Sequence, residues 1–167
     1  HTVELKLGFS RERSNETYLG LTDGDFSDNP YRRYAASQLA RMDLLRSQAE
    51  LSYVANVDDN IEIRTVAYHH WMTRDWRKLN RMGAAESLTD ILSNPTGRRR
   101  VLYDILTGAQ DSSATNENLW IGVNGRSFHS MGLDTSATFA FTTAPVDHEL
   151  RLGLRYHYDQ IRREHTE

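Results

Sequence analysis

Five stretches of this chain place apolar and polar residues alternately. In Thr2–Ser10, Val3, Leu5, Leu7 and Phe9 point one way while Glu4, Lys6, Gly8 and Ser10 point the other. Ala49–Val57 repeats the pattern through Ala49, Leu51, Tyr53, Ala55 and Val57, and Ser127–Phe141 through Met131, Leu133, Thr135, Ala137, Phe139 and Phe141. The last stretch is the clearest: Leu150, Leu152, Leu154, Tyr156 and Tyr158 alternate with Arg151, Gly153, Arg155, His157 and Asp159. A further run starts with Ile61, Ile63, Thr65 and Ala67 on one side and Glu62 and Arg64 on the other, loses its alternation after Val66, and continues to Trp71 and Trp76. Period two over such lengths predicts β-strands with one apolar face.

The connections differ sharply in length. Asp58-Asp59-Asn60 predicts a tight hairpin turn, and Ala144-Pro145-Val146-Asp147 a second short turn. Ser14–Gln38 is a long, polar, aromatic-rich and turn-rich loop. Arg77–Gly125 is the longest stretch without a strand pattern. Within it Ser87 is placed to cap a short helix, LTDILS, that Asn94-Pro95 stops. Arg98–Thr107 predicts a second helix, with Val101, Leu102, Ile105 and Leu106 in one stripe and Gly108 ending it. The expectation is an all-β chain of about five long strands, with short turns on one side and long loops carrying short helices on the other. That rhythm suits a transmembrane antiparallel barrel. A soluble sandwich with solvated polar faces predicts the same alternation, so pattern alone leaves both open.

Composition changes this picture little. The 38% hydrophobic content and mean hydropathy of −0.66 are those of a water-soluble protein, but such averages are blind to barrels, where only every second strand residue faces lipid. No apolar run approaches the roughly 18 residues of a spanning helix. A net charge of −3 gives no reason to expect nucleic acid as a partner. The absence of cysteine excludes disulfides, thiolate metal sites and cysteine nucleophiles.

Candidate chemistry is sparse. Asp23, Asp25 and Asp28 resemble the start of a calcium loop, but the sixth and twelfth positions counted from Asp23 hold Asp28 and Tyr34 instead of Gly and Glu, so turn formation explains them better. Adjacent His69 and His70 face opposite sides of a strand and cannot share an ion. His157 and Asp159 share a face, with no third ligand placed by the sequence. No Gly-flanked nucleophilic serine, phosphate-binding loop or zinc-binding helix occurs, so the expectation is a protein that is not an enzyme, with no cofactor and no resident metal. What stands out is basic and aromatic loop surface: Arg32 and Arg33 flanked by Tyr31 and Tyr34, and Arg98, Arg99 and Arg100 opening the second loop's helix. Guanidinium forks match carboxylate acceptors; pairing with neighbouring acids is the alternative reading.

ETYLGLTDGDF followed by NPYRRYAAS resembles the outer loop joining two barrel strands in TonB-dependent outer-membrane receptors of the ferric-dicitrate type. The stretch from Trp76 through LTDILSNP to YDILTG resembles the next outer loop of that family, and HELRLGLRYHYDQIRREHTE a later strand. The resemblance covers essentially residues 1–167, in order, and implies part of a receptor barrel in the bacterial outer membrane. It implies uptake of a ferric citrate-like chelate, contact with outer-membrane lipid and lipopolysaccharide, and drive by TonB through segments outside this stretch. Arg32, Arg33, Tyr31, Tyr34 and Arg98–Arg100 then become candidate ligand contacts on the loops, with Arg151 and Arg155 on the lumen face. Five strands cannot close a barrel, and neither a plug domain nor a TonB-contacting segment is matched, so a larger barrel is expected. The competing expectation is a soluble all-β module that binds its ligand with the same loops.

Overall fold

The computed structural model describes all of residues 1–167. Its strands are β1 (Thr2–Ser14), β2 (Arg41–Asp58), β3 (Ile61–Met82), β4 (Leu119–Thr143) and β5 (Val146–Thr166), paired in sequence order in one antiparallel sheet. The order is linear, so β1 and β5 are its edges. At up to 25 residues these strands far exceed the usual five or six. The chain divides into two compact units, and each strand has residues in both.

The first unit comprises His1–Arg11, Leu44–Thr73 and Arg126–Arg162, and holds both short turns. At the β2–β3 turn the Asn60 N–H donates to Asp58 Oδ1 at 2.8 Å, a side-chain closure that Asp favours. β4 and β5 join through a cis Ala144-Pro145 bond, and Thr142 Oγ1 donates to Asp147 across it at 2.7 Å.

Cross-strand contacts fix which residues share a face. Thr65 meets Thr135, and His129 lies against His69 and Trp71. Odd positions of β3 and β4 therefore lie together, with the even positions of β5, where His148 stacks on Phe141. On the opposite face Tyr68 reaches His157 and Arg155, and Arg151 reaches Ser136. Lys6 beside Glu50 assigns the even positions of β1 and β2 to one polar face. The alternation read from sequence thus separates two surfaces within the β1–β2 pair and two within β3–β5. The apolar side chains of both groups are bare: Leu7 and Phe9 are each 73% exposed and Leu154 79%.

The second unit comprises Glu12–Asp43, Arg74–Gly125 and Arg163–Glu167. It contains three helices, α1 (Asp23–Asp28), α2 (Leu88–Ser93) and α3 (Arg98–Thr107). Here lies the main apolar core. Leu102, Ile105 and Leu106 of α3, Ile91 of α2, Leu19, Tyr34 and Ala36 of the first loop, and Leu79 and Met82 of β3 pack together. The caps are those the sequence implies: Ser87 Oγ accepts the Asp90 N–H at 3.1 Å, and Gly108 ends α3 at φ 85°. Gly108 is required twice, since a Cβ there would also lie 2.6 Å from the Ala35 Cβ of the first loop.

Four boundaries differ from the sequence expectation, the first being β1, which runs on from Ser10 to Ser14. Arg77–Met82 and Leu119–Gly125 are strand, so the second long connection is shorter than expected, and β2 begins at Arg41 instead of Ala49. In Arg77–Met82 and Arg41–Gln48 charged residues fall on both faces, or apolar ones meet the loops, so period two has nothing to record while the backbone ladder continues. The short α1 was also missed, because DGDFSD carries no apolar stripe.

The core makes a simple prediction. Leu106 is fully buried, so Leu106→Ala should destabilise the second unit by about 2–5 kcal/mol. Amide exchange in α2 and α3 should accelerate accordingly, with the turn-proximal parts of β4 and β5 unaffected.

Candidate ligand-facing loop surface

Asp25 organises the first loop and ties it to the second. Thr22 caps α1, its Oγ1 accepting the Asp25 N–H at 3.1 Å and donating to Asp25 Oδ2 at 2.9 Å. The Tyr34 hydroxyl donates to the same carboxylate at 2.5 Å, and the Tyr103 hydroxyl, carried by α3, donates there as well. Arg32 pairs with Asp25 through one nitrogen and with Asp28 through another at 2.7 Å. Tyr34 and Tyr103 meet edge to face, ring centroids 6.0 Å apart. With its side chain only 12% exposed, Asp25 is held at a pKa of about 2 chiefly by the Tyr103 and then the Tyr34 hydroxyl. Burial, and then the Asp25 carboxylate, push Tyr103 up to about 12.

These contacts sort the candidate residues named from sequence. Tyr34 is buried and structural, whereas Tyr31 is 94% exposed. Arg33 is committed to main chain: it donates to the carbonyls of Asn15, Ser37 and Ala40, closing the loop upon itself. Arg32 is neutralised by its two aspartates. On α3, Arg99 pairs with Glu86 at 3.1 Å, and Arg100 pairs with Asp104 at 3.1 Å while its guanidinium lies over the Tyr103 ring. Arg98 is exposed at the helix start, its charge helping to hold Glu117 below the usual carboxylate range after the Ser113 and Ala114 N–H groups. Arg98, Arg99 and a polar hollow of about 600 Å³ adjoin, with Glu86, Asp90, Asn94 and Thr96 completing its wall. Of the loop candidates named from sequence, Tyr31, Arg98 and Arg100 are the most open, Arg100 at 61% exposure while paired with Asp104.

Arg151 and Arg155 belong to the other unit, on the polar sheet face. Arg151 donates to Ser136 Oγ at 3.4 Å and Arg155 to the Tyr68 hydroxyl at 3.2 Å. That hydroxyl also pairs with His157 Nδ1, and His157 Nε2 lies 2.9 Å from Asp159. The role of Tyr68 is not legible in the sequence because its partners come from β5. The signal is Gly132 on the intervening β4: a Cβ there would sit 2.5 Å from the Tyr68 oxygen. Lys78 carries no signal in the sequence; its ammonium lies 3.9 Å from the Tyr18 ring centre and 4.8 Å from that of Trp76. No group of three or more His, Asp or Glu side chains is arranged around a common point.

No protein-family model matches this sequence. No curated protein matches it significantly either.

The Asp25 hub sets a pH window. A carboxylate held at about 2 contributes stability present above its unfolded value near 4 and lost as pH falls toward 2. A phenol raised to about 12 contributes stability present below roughly pH 10 and lost as pH rises toward 12. Stability of the loop unit should therefore be flat from about pH 5 to 9 as far as these groups govern it, falling outside that range. Asp25→Ala should leave two phenols without their acceptor, at about 1–3 kcal/mol each, and remove the acid limb; chemical denaturation across pH checks both.

Proposed function

We propose that this chain forms part of the barrel of a TonB-dependent outer-membrane receptor that takes up a ferric chelate of the citrate type. The observation that carries the membrane reading is the bare apolar sheet face and its aromatic margins. Toward the short turns, His148 stacks on Phe141 at 5.0 Å. Further along the same face lie Trp71, His69 and His129, with ring centroids 5.8 and 6.4 Å apart. From His148 to Tyr158, which ends the apolar row of β5, an extended strand covers about 33 Å. At a tilt of about 40° this projects to about 25 Å, the height of the apolar band on an outer-membrane barrel. The opposite face carries Arg64, Arg151, Arg155, His157 and Asp159, groups that belong beside water.

The receptor assignment rests on the loop and strand motifs that resemble the ferric-dicitrate family. Long helical loops packed on their own core agree with it, as does the pairing of long loops with short turns. Barrel closure requires further strands at the β1 and β5 edges, because unpaired backbone is not viable in lipid. The chelate reading rests on the arginines. With Arg32 and Arg33 engaged internally, Arg98 and the exposed Arg100, whose acidic partner is Asp104, are the loop cations offered to an anionic ligand.

Leu152→Arg should cost about 2–4 kcal/mol in folding of the complete barrel into lipid, whereas Arg151→Leu on the neighbouring polar position should be mild. Equal effects, or the reverse order, would remove the membrane reading. For the ligand, Arg98→Glu with Arg100→Glu should weaken ferric citrate binding, more so at low salt where screening is least. Unchanged binding by a folded double variant would remove the arginine contact.

A further inference from the structure

The polar face of the first unit holds a side-chain chain that this reading leaves without a task. Tyr68 crosses β4 over Gly132 and places its hydroxyl 2.5 Å from His157 Nδ1 on β5. Asp159 accepts from the other ring nitrogen at 2.9 Å. That bond fixes the tautomer: with the proton on Nε2, Nδ1 carries the lone pair, and the phenol proton is what Tyr68 shares with it. A carboxylate behind an imidazole, orienting it for a ligand in front, is the arrangement found around metal-binding histidines.

The two leading donors lie a few tenths of an ångström inside the spacing that coordination needs. Two atoms at 2.0–2.1 Å from an octahedral ion, on adjacent positions, lie about 2.9 Å apart. Opening the Tyr68–His157 pair by a few tenths of an ångström admits an ion in place of the shared proton. Phenolate and imidazole are hard-to-borderline donors that suit a trivalent iron better than calcium or magnesium. Two donors alone do not make a cage, so the remaining positions must come with the ion. Arg155 selects the form in which it comes: its guanidinium lies 3.2 Å from the same phenol oxygen, repels a bare cation and faces the carboxylates of an anionic complex.

We infer that Tyr68 and His157 form an inner-sphere station for ferric ion carried in an anionic carboxylate chelate, with Arg155 on the chelate and Asp159 orienting the imidazole. On arrival two water ligands leave the iron, the phenol proton passes to solvent, and Tyr68 Oη and His157 Nδ1 take the vacated positions; no redox change is involved. The inference rests on the uptake reading for its cargo and specifies where on the barrel wall that cargo is held. It differs from the loop arginines in touching the metal itself.

The test is titration of the intact protein in detergent with Fe(III)–nitrilotriacetate, a chelate that leaves two adjacent iron positions open. The expected result is a visible phenolate-to-iron charge-transfer band that Tyr68→Phe abolishes. Asp159→Asn should raise the apparent Kd about tenfold or more, and His69→Ala, on the opposite sheet face, should leave it unchanged. A missing band, or one that survives in a folded Tyr68→Phe protein, overturns the inference. Should Tyr68→Phe not fold, His157→Gln reads the second donor, and an unaltered Kd in that variant overturns the inference equally. Ferric citrate binding to the same preparation separates the two levels. Citrate bound without the band removes this station and keeps the uptake reading; the band without citrate binding does the reverse.

Discussion

The apolar row along the sheet has no cover within the chain, and this constraint governs everything else. More than a dozen large apolar side chains on β1, β2, β4 and β5 are exposed. Burying one such side chain is worth about 1.5–3 kcal/mol, so leaving the row in water forgoes on the order of 20 kcal/mol, beyond the roughly 5–15 kcal/mol that holds a typical domain together. Something must cover the row. The opposite face cannot turn inward to do so, because it carries Arg64, Arg151, Arg155 and Asp159. The membrane reading proposed above would satisfy both, with a bilayer against one face and water against the other, and the continuous pairing from β1 to β5 agrees with it.

The loop unit solves a different problem by ordinary means. Its core is small but enclosed, with Ile91, Leu102 and Leu106 at the centre, while Phe26 and Leu39 stay exposed. Asp25 then fastens α3 of the second connection to the first loop through Tyr103, so the two loops are stabilised jointly. This accounts for the internal engagement of both arginines of the first loop, Arg32 and Arg33. Arg33 supplies donors to three carbonyls of this irregular loop, those of Asn15, Ser37 and Ala40, and Arg32 balances the acids that build the hub.

Wherever one strand face is apolar, the sequence discloses the structure. The alternation of Val3–Phe9, Met131–Phe141 and Leu150–Tyr158 sorts residues onto the faces that the cross-strand contacts then define, and Ser87 and Gly108 mark helix ends where they occur. It falls silent at Arg41–Gln48, Arg77–Met82 and Leu119–Gly125, where the ladder continues without a binary pattern. The Asp25 hub was invisible for another reason: Tyr103 lies far from Asp25 along the chain, and an aspartate among turn residues looks like a turn former. Tyr68 and His157 were hidden in the same way, with only Gly132 between them to mark the crossing. Of the candidate arginines, sequence found the cations but not their counter-ions.

The central claim is that the two faces of this sheet meet different solvents. Because the chain contains no cysteine, single cysteines can be introduced from Glu149 to Gln160 and spin-labelled without background. In the complete barrel reconstituted in lipid, accessibility to oxygen, which concentrates in the bilayer, and to a water-soluble nickel complex should alternate with period two. Oxygen should dominate at positions 150, 152, 154, 156 and 158, and nickel at 151, 153, 155 and 157. Labels on both faces equally open to the nickel complex, or even positions packed and inaccessible to either quencher, would contradict the account.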